Sequence, residues 1–185
     1  LALDAPEHQF SAERAGEVLD RLTADPFGPH PTGSSAARDI LGRIEQELLA
    51  VGWGPRIQEA LGVGSEDNVV GRMRNLVARM RGVDRDLPAV MVVAHYDSVG
   101  AGPGVSDDLA GVAAIVELAR ALRDVELRRS VILLITDGEE AGLVGAEAFL
   151  HDHPWASDVG IVLNLEARGA SGPSYMFQTG PQDAW

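Results

Sequence analysis

The chain has 185 residues, of which 45% are hydrophobic and 23% charged. That balance excludes a disordered or fibrous chain and predicts a single domain over residues 1–185 with a real core. The 28 acids and 15 bases give a formal net charge of −13, which argues against a nucleic-acid partner and suits cationic ligands or divalent metals. Every base is arginine, and neither lysine nor cysteine occurs. A P-loop, a Schiff-base enzyme, a thiol nucleophile, disulfides and cysteine-ligated metal are thereby excluded. No apolar run reaches the ~18 residues of a membrane span, so membrane contact is expected only through an anchor outside this chain. The chain opens on Leu1 without a signal peptide and is expected to be a piece of a longer product.

Ser11 is placed to cap a helix running to about Ala24, with Val18, Leu19 and Leu22 at helical spacing. A turn-rich stretch follows over residues 25–33. Ser34 or Ser35 then caps a second helix to about Val51, with Ile40, Ile44, Leu48 and Leu49 on one face. Extended segments are expected over residues 56–60 and 68–81, the second with alternating Val70, Arg72 and Arg74. Beyond them the pattern becomes strand, loop, helix. Buried strands are predicted at 89–94 (AVMVVA), 131–135 (VILLI) and 159–163 (VGIVL), with helices at 109–122 and 140–150 between them. This alternation predicts an α/β fold: a three-layer sandwich whose mixed, largely parallel central sheet is flanked by helices.

Each apolar run is followed at once by polar residues able to bind metal. The first leads to His95-Tyr96-Asp97 and then a glycine-rich loop ending Ser106-Asp107-Asp108. The second leads to Asp137-Gly138-Glu139-Glu140, and the third to Asn164-Leu165-Glu166. Sites in open α/β sheets form outside the carboxyl ends of the strands, so three segments deliver carboxylates and one imidazole to one edge. Converging carboxylates repel and need a counter-charge, which divalent cations supply. The donors are nitrogen and oxygen only, which suits zinc and also manganese or cobalt. Strand alternation puts His95 and Asp97 on one side, where Asp97 can accept the second ring N–H. Of the adjacent Glu139 and Glu140, one can bind metal while the other stays free as a base.

AHYDS (94–98), GVSDDLAG (104–111), TDGEEAGLVGAEAF (136–149) and NLEARG (164–169) resemble the co-catalytic zinc aminopeptidases. That family includes secreted bacterial aminopeptidases and the catalytic domain of glutamate carboxypeptidase. PHPTGS (29–34) and FQTGP (177–181) are weaker flanking matches. The resemblance implies two zinc ions in a complete domain. It makes His95, Asp107 and Glu166 ligands of the first metal, with Asp107 bridging to the second and a cis peptide just after it. Glu140 would bind the second metal, Glu139 would be the general base, and Asp97 would orient His95. Many members carry Asp where this chain has Glu166. The family's last ligand is a downstream histidine, so the second metal is left with Asp107 and Glu140, and the domain is expected to be incomplete at its C-terminus. The implied reaction is aminopeptidase hydrolysis of a peptide with a free N-terminus by water activated on the metal. The implied location is extracytoplasmic: secreted, periplasmic or on a membrane-anchored ectodomain.

Blander expectations stand beside these. Asp108 reads as a helix-start residue interacting with the helix dipole. His151 and His153 read as residues near a helix C-terminus, and His8 and His30 as surface-loop histidines. The loop from Gly100 to Gly104 lacks the third glycine of a dinucleotide fingerprint and is expected to re-aim the chain toward Asp107. Neither HExxH nor G-x-S-x-G occurs. Two other functions fit the motifs: a glutaminyl-cyclase-like acyltransferase, which shares a similar DGEE segment, and a non-catalytic peptidase-like ectodomain.

Overall fold

The computed structural model describes residues 2–64, 69–167, 169, 172–173, 175–176 and 180. Two helices open the chain, α1 (Ala12–Leu22) and α2 (Ser35–Ala50). Ser11 and Ser34 cap them, their side chains accepting from Arg14 N and Ala37 N at 3.3 and 2.9 Å. These bonds satisfy N–H groups that a helix start leaves unpaired. Val18 and Leu22 of α1, and Ile40, Leu41, Ile44 and Leu48 of α2, turn the apolar stripe of each helix inward.

The strands are β1 (Arg56–Val63), β2 (Val70–Met80), β3 (Ala89–His95), β4 (Val131–Thr136) and β5 (Val159–Asn164). Helix α3 (Ala110–Leu122) joins β3 to β4, and α4 (Val144–Asp152) joins β4 to β5. The sheet order is β1-β2-β4-β3-β5. β3 runs parallel to both β4 and β5, while β2 pairs antiparallel with β1 and β4. The sheet is therefore mixed, and its parallel part is the part that carries the metal-competent residues.

Side-chain alternation divides the core into two layers. Leu76, Ala78, Val92, Ala94, Leu133 and Ile135 pack with α1, α2 and α3 on one face. Val77, Met91, Val93, Ile132 and Leu134 pack with Phe149 of α4 on the other. β3 and β4 are apolar at every position up to their last residues, His95 and Thr136, because both faces are covered. Glu117 of α3 is buried and fully engaged. It accepts from Ser11 N at 2.8 Å, Arg14 Nε at 3.0 Å and Arg120 Nε at 2.6 Å, and so ties the N-terminal segment to the helical layer.

Two helix boundaries differ from the sequence expectation. The helix predicted from Glu140 begins at Val144, because Gly142 and Leu143 both take left-handed backbone, at φ 98° and 60°. The helix predicted from Leu109 begins at Ala110, after a tight turn over Val105–Leu109. The first shift leaves Glu140 in a turn instead of a helix.

β5, expected as a buried strand, is instead the outer strand of the sheet among the described residues, with Ile161, Val162 and Leu163 exposed by 47, 53 and 53%, because no described element packs over them. A long apolar edge of this kind pairs readily with another chain. The 185-residue chain in isolation is therefore expected to self-associate in proportion to its concentration. Val162→Lys is expected to shift the average mass toward the monomer in size-exclusion chromatography with light scattering. Association unchanged by that substitution would place the contact elsewhere.

Candidate metal centre

The parallel register brings the three ligand-bearing turns level. His95 lies opposite Thr136, and Val93 lies opposite Asn164. Just beyond the paired residues, Glu166 Oε1 comes within 3.9 Å of His95 Nε2, and Glu139 N donates to the Asp97 carboxylate. The turn from Leu165 is fixed by its N–H, which donates to Val93 O at 2.8 Å. Asp107 arrives from the opposite side, on the loop that follows Gly104, whose φ of 66° turns the chain back over the sheet edge. The peptide between Asp107 and Asp108 is cis, as the resemblance implied.

His95, Asp107 and Glu166 each present one ligand atom, and these atoms lie within 4.8 Å of one another. His95 Nε2 faces Asp107 Oδ1 at 2.9 Å, Glu139 Oε2 at 3.8 Å and Glu166 Oε1 at 3.9 Å. The other ring nitrogen, Nδ1, lies 3.0 Å from the backbone oxygen of Asp97 and 3.5 Å from its carboxylate. The ring is thus oriented by the Asp97 carbonyl more closely than by the carboxylate, which differs from the sequence expectation. The Asp97 carboxylate is occupied elsewhere: Oδ1 accepts from Glu139 N at 3.0 Å and Oδ2 from Glu140 N at 3.2 Å. One buried side chain therefore holds the backbone of both neighbouring glutamates.

Electrostatics show what this arrangement lacks without a cation. Both nitrogens of His95 face oxygen acceptors, so the ring must carry two protons. Burial alone would lower its proton affinity, but the hydrogen bonds to Asp97 and Glu166 and the charge of Asp108 outweigh it. The imidazole is pushed up to about 12. Burial raises Asp108 to about 8, assisted by the charge of Glu166 and opposed by His95. Glu139 is raised by burial and by the charges of Glu166, Glu140 and Asp97. Glu140 is raised by burial and by Asp107. Glu166 is lowered, first by its hydrogen bond with His95. The charged ring thereby faces the carboxylates of Asp107, Glu139 and Glu166. A divalent cation fits the same place better, with nitrogen and oxygen donors, more charge and no need for the second ring proton. The residues present fit zinc.

The remaining sequence-selected residues fall into place around this centre. Glu140 lies in the turn after Glu139 and outside the three-donor cluster. Asp108 caps α3: Oδ1 accepts from Gly111 N at 3.1 Å, and Oδ2 from His95 N at 3.4 Å. His151 is exposed and paired with Glu147, while His153 stacks on Phe149 at the end of α4. His8 is exposed, but His30 is fully buried, which corrects its reading as a surface histidine. The physical reason is that His30 itself turns under the Ser98 loop, with Ser98 N donating to His30 O at 3.3 Å. Arg168 and most of the FQTGP segment fall outside the described residues.

Sequence reasoning passed over several residues that support the site. Asp137 is buried; it accepts from Thr32 Oγ1 through one oxygen and from Arg74 N at 3.1 Å through the other. Tyr96 is also buried, its hydroxyl donating to Arg74 O at 3.2 Å. Only the PHPTGS match hinted at Thr32, and nothing in a linear spacing indicates that residues 32 and 137 meet.

The model of "Peptidase family M28" matches residues 75–185. The vacuolar membrane protease of Candida albicans (strain WO-1) is 39% identical over 181 residues, which are 96% of this chain and 21% of that protein. Endoplasmic reticulum metallopeptidase 1 of Rattus norvegicus is 32% identical over 194 residues, again 96% of this chain and 21% of that protein. The chain thus spans about a fifth of the length of these curated relatives. Among solved structures, the fold is shared with Porphyromonas gingivalis glutaminyl cyclase, with a TM-score of 0.72, 23% identity, and 88% of this chain and 61% of that one covered. It is also shared with a Zn-dependent exopeptidase from Parabacteroides distasonis, with a TM-score of 0.65, 19% identity, and 79 and 57% covered. With a family model covering the segment that carries His95, Asp107, Glu139, Glu140 and Glu166, the chain belongs to peptidase family M28.

Proposed function

We propose that this chain carries the catalytic centre of a zinc aminopeptidase that removes residues from the free N-terminus of peptides. The observation that carries the reading is the three-donor cluster of His95, Asp107 and Glu166, with Glu139 beside it and free of it. These residues would hold the first zinc. Asp107 and Glu140 would contribute to a second, its remaining donor coming from outside the described residues. Zinc held there would supply Lewis acidity to a water and to the carbonyl under attack. Glu139 would accept a proton from the attacking water at its carboxylate and return it to the leaving amine. Burial and neighbouring charge raise its proton affinity toward the range in which it can do both. Asp97 fixes the Glu139 backbone and, through its carbonyl, the ring of His95. The acidic surroundings attract the α-ammonium group of the substrate.

A lumenal or otherwise extracytoplasmic location is supported by the vacuolar and endoplasmic-reticulum relatives. Among the described residues no helix is long and apolar enough to cross a membrane. The test of the activity is a pair of assays on the zinc-loaded intact protein: release of nitroaniline from aminoacyl-nitroanilides, and cyclisation of an N-terminal glutamine. Aminoacyl release without cyclisation is expected, lost on chelation and restored by zinc. Cyclisation without release would replace the reading with an acyltransferase, and neither activity in a zinc-loaded protein would favour a non-catalytic role.

A further inference from the structure

Residues 28–34 form no helix or strand, yet they reach the loops that carry Asp97, Asp107 and Glu139. His30 pairs with Ser98 in both directions: its N–H donates to Ser98 Oγ at 2.9 Å, and its carbonyl accepts from Ser98 N at 3.3 Å. Ser98 is buried and directly follows Asp97. The His30 ring carries its proton on Nδ1, which donates to Gly28 O at 2.9 Å, and its Nε2 is buried without a hydrogen-bond partner. That ring fills the space beside Gly104, where an added Cβ would lie 3.1 Å from His30 Cε1, 2.8 Å from Ser98 Cβ and 3.2 Å from Asp107 O. The turn into Asp107 is therefore shaped against His30. Two residues later, Thr32 Oγ1 donates to Asp137, the residue that opens the Asp137-Gly138-Glu139-Glu140 turn. Ser34 then starts α2, anchoring the loop at its far end in the helical layer.

We propose that His30 and Thr32 are positioning residues that hold the Asp97, Asp107 and Glu139 loops at their working separation. The inference rests on the zinc-peptidase reading, since it concerns how that centre is assembled. The physical need is clear. The loops bring like charges together, and repulsion would spread them whenever no cation is bound. A site keeps its affinity when its first shell is held by groups that are themselves locked. Asp97 joins the loop after β3 to the loop after β4 from within the site. The 28–34 segment joins the same two from outside it and adds the third. Thr32 is the more direct lever, because its hydroxyl reaches the residue two positions before Glu139.

The experiment compares the intact protein with its Thr32→Val, Thr32→Ser and Asp137→Asn variants and the Thr32→Val/Asp137→Asn double variant. Zinc affinity is measured by competition with a chelating dye, and amide exchange over residues 137–140 is measured without metal. Thr32→Val keeps shape but removes the donor, and is expected to weaken zinc by about tenfold or more and to speed exchange at Glu139 and Glu140. Thr32→Ser is expected to restore both to near wild type. The double variant is expected to lose less than the product of the single losses, because Thr32 acts through Asp137. If peptidase activity is present, kcat is expected to fall in Thr32→Val with KM changed less than about twofold. Wild-type zinc affinity and exchange in Thr32→Val, or full additivity in the double variant, would overturn the proposal. An intact protein that binds zinc but lacks peptidase activity would refute the functional reading and still leave the affinity and exchange arms decisive. Should Thr32→Val fail to fold, Asp137→Asn and Thr32→Ser still decide: equal exchange over 137–140 in wild type and Asp137→Asn would overturn it.

Discussion

Replacing Glu139 with alanine in the intact enzyme is expected to lower kcat by about 10²-fold or more while zinc content stays at the wild-type level. The separation of the two effects follows from position. Glu139 Oε2 lies 3.8 Å from His95 Nε2, close enough to serve a reacting water at the centre, yet Glu139 is outside the set of three donors that lie within 4.8 Å of one another. Its main chain is fixed independently, by the N–H bond to Asp97, so removing the carboxylate leaves the turn in place. Glu140→Ala is expected to behave differently, losing metal and activity together. Glu139→Gln tests the charge alone: it keeps the shape, lacks a site for the proton, and should be about as inactive as Glu139→Ala. Zinc per chain after dialysis and kcat on an aminoacyl-nitroanilide are the two readings. Equal zinc loss from Glu139→Ala and Glu140→Ala would show that their roles are reversed or shared.

How far the centre was legible in the sequence depended on which forces set each part. The apolar runs at β3 and β4 are long enough, and apolar enough on both faces, to declare buried parallel strands; the run at β5 reads the same way and is a parallel strand, but it is exposed, because it lies at the outer edge of the described sheet. From parallel strands the gathering of His95, Asp137–Glu140 and Glu166 at one edge follows by topology alone. The boundary of α4 was not legible, because Glu140 and Ala141 favour helix and only the left-handed backbone at Gly142 and Leu143 delays it. The role of Asp97 was legible as a contact with His95 but not as the group that grips Glu139 N and Glu140 N, since that grip depends on the Cα register between β3 and β4. His30 was misread because a histidine in a Pro- and Gly-rich stretch normally faces water. Its burial comes from a long-range fit beside Ser98 and Gly104, which no local pattern encodes.

Without metal, the protein is expected to lose stability as pH rises from 5 to 8, and saturating zinc is expected to remove or reverse that trend. Asp108 binds its proton more tightly folded, at about 8, than unfolded, near 3.9. The stability it contributes is therefore complete below about pH 4 and is lost progressively as pH rises toward 8. His95, pushed up to about 12, contributes stability that is complete below about 6.5 and declines above it. Asp137, Glu139 and Glu140 are raised as well and act in the same direction. Glu117 and Glu166 are lowered, so their contribution is lost only as the pH falls through the acidic range and is flat between 5 and 8. A tenfold change in proton affinity is worth about 1.4 kcal/mol, and 1 kcal/mol moves Tm by about 2–4 °C in a chain of this size. Even half of the span open to Asp108 between pH 5 and 8 then lowers Tm by about 5 °C. Zinc replaces the second proton of His95 and neutralises the carboxylates, so it binds more tightly, and stabilises more, at pH 8 than at pH 5. A net charge of −13 also disfavours the compact state as pH rises, but that effect is screened by salt and the buried one is not. The measurement is Tm against pH at low and at 0.5 M added salt (a roughly fivefold excess over ~0.1 M buffer), with chelator or zinc, beside Asp108→Asn. The substituted protein keeps the acceptor for Gly111 N and cannot ionise, so its metal-free curve is expected to be flatter than wild type. A slope that salt abolishes, or one that Asp108→Asn leaves unchanged, would assign the trend to overall charge and not to the buried cluster.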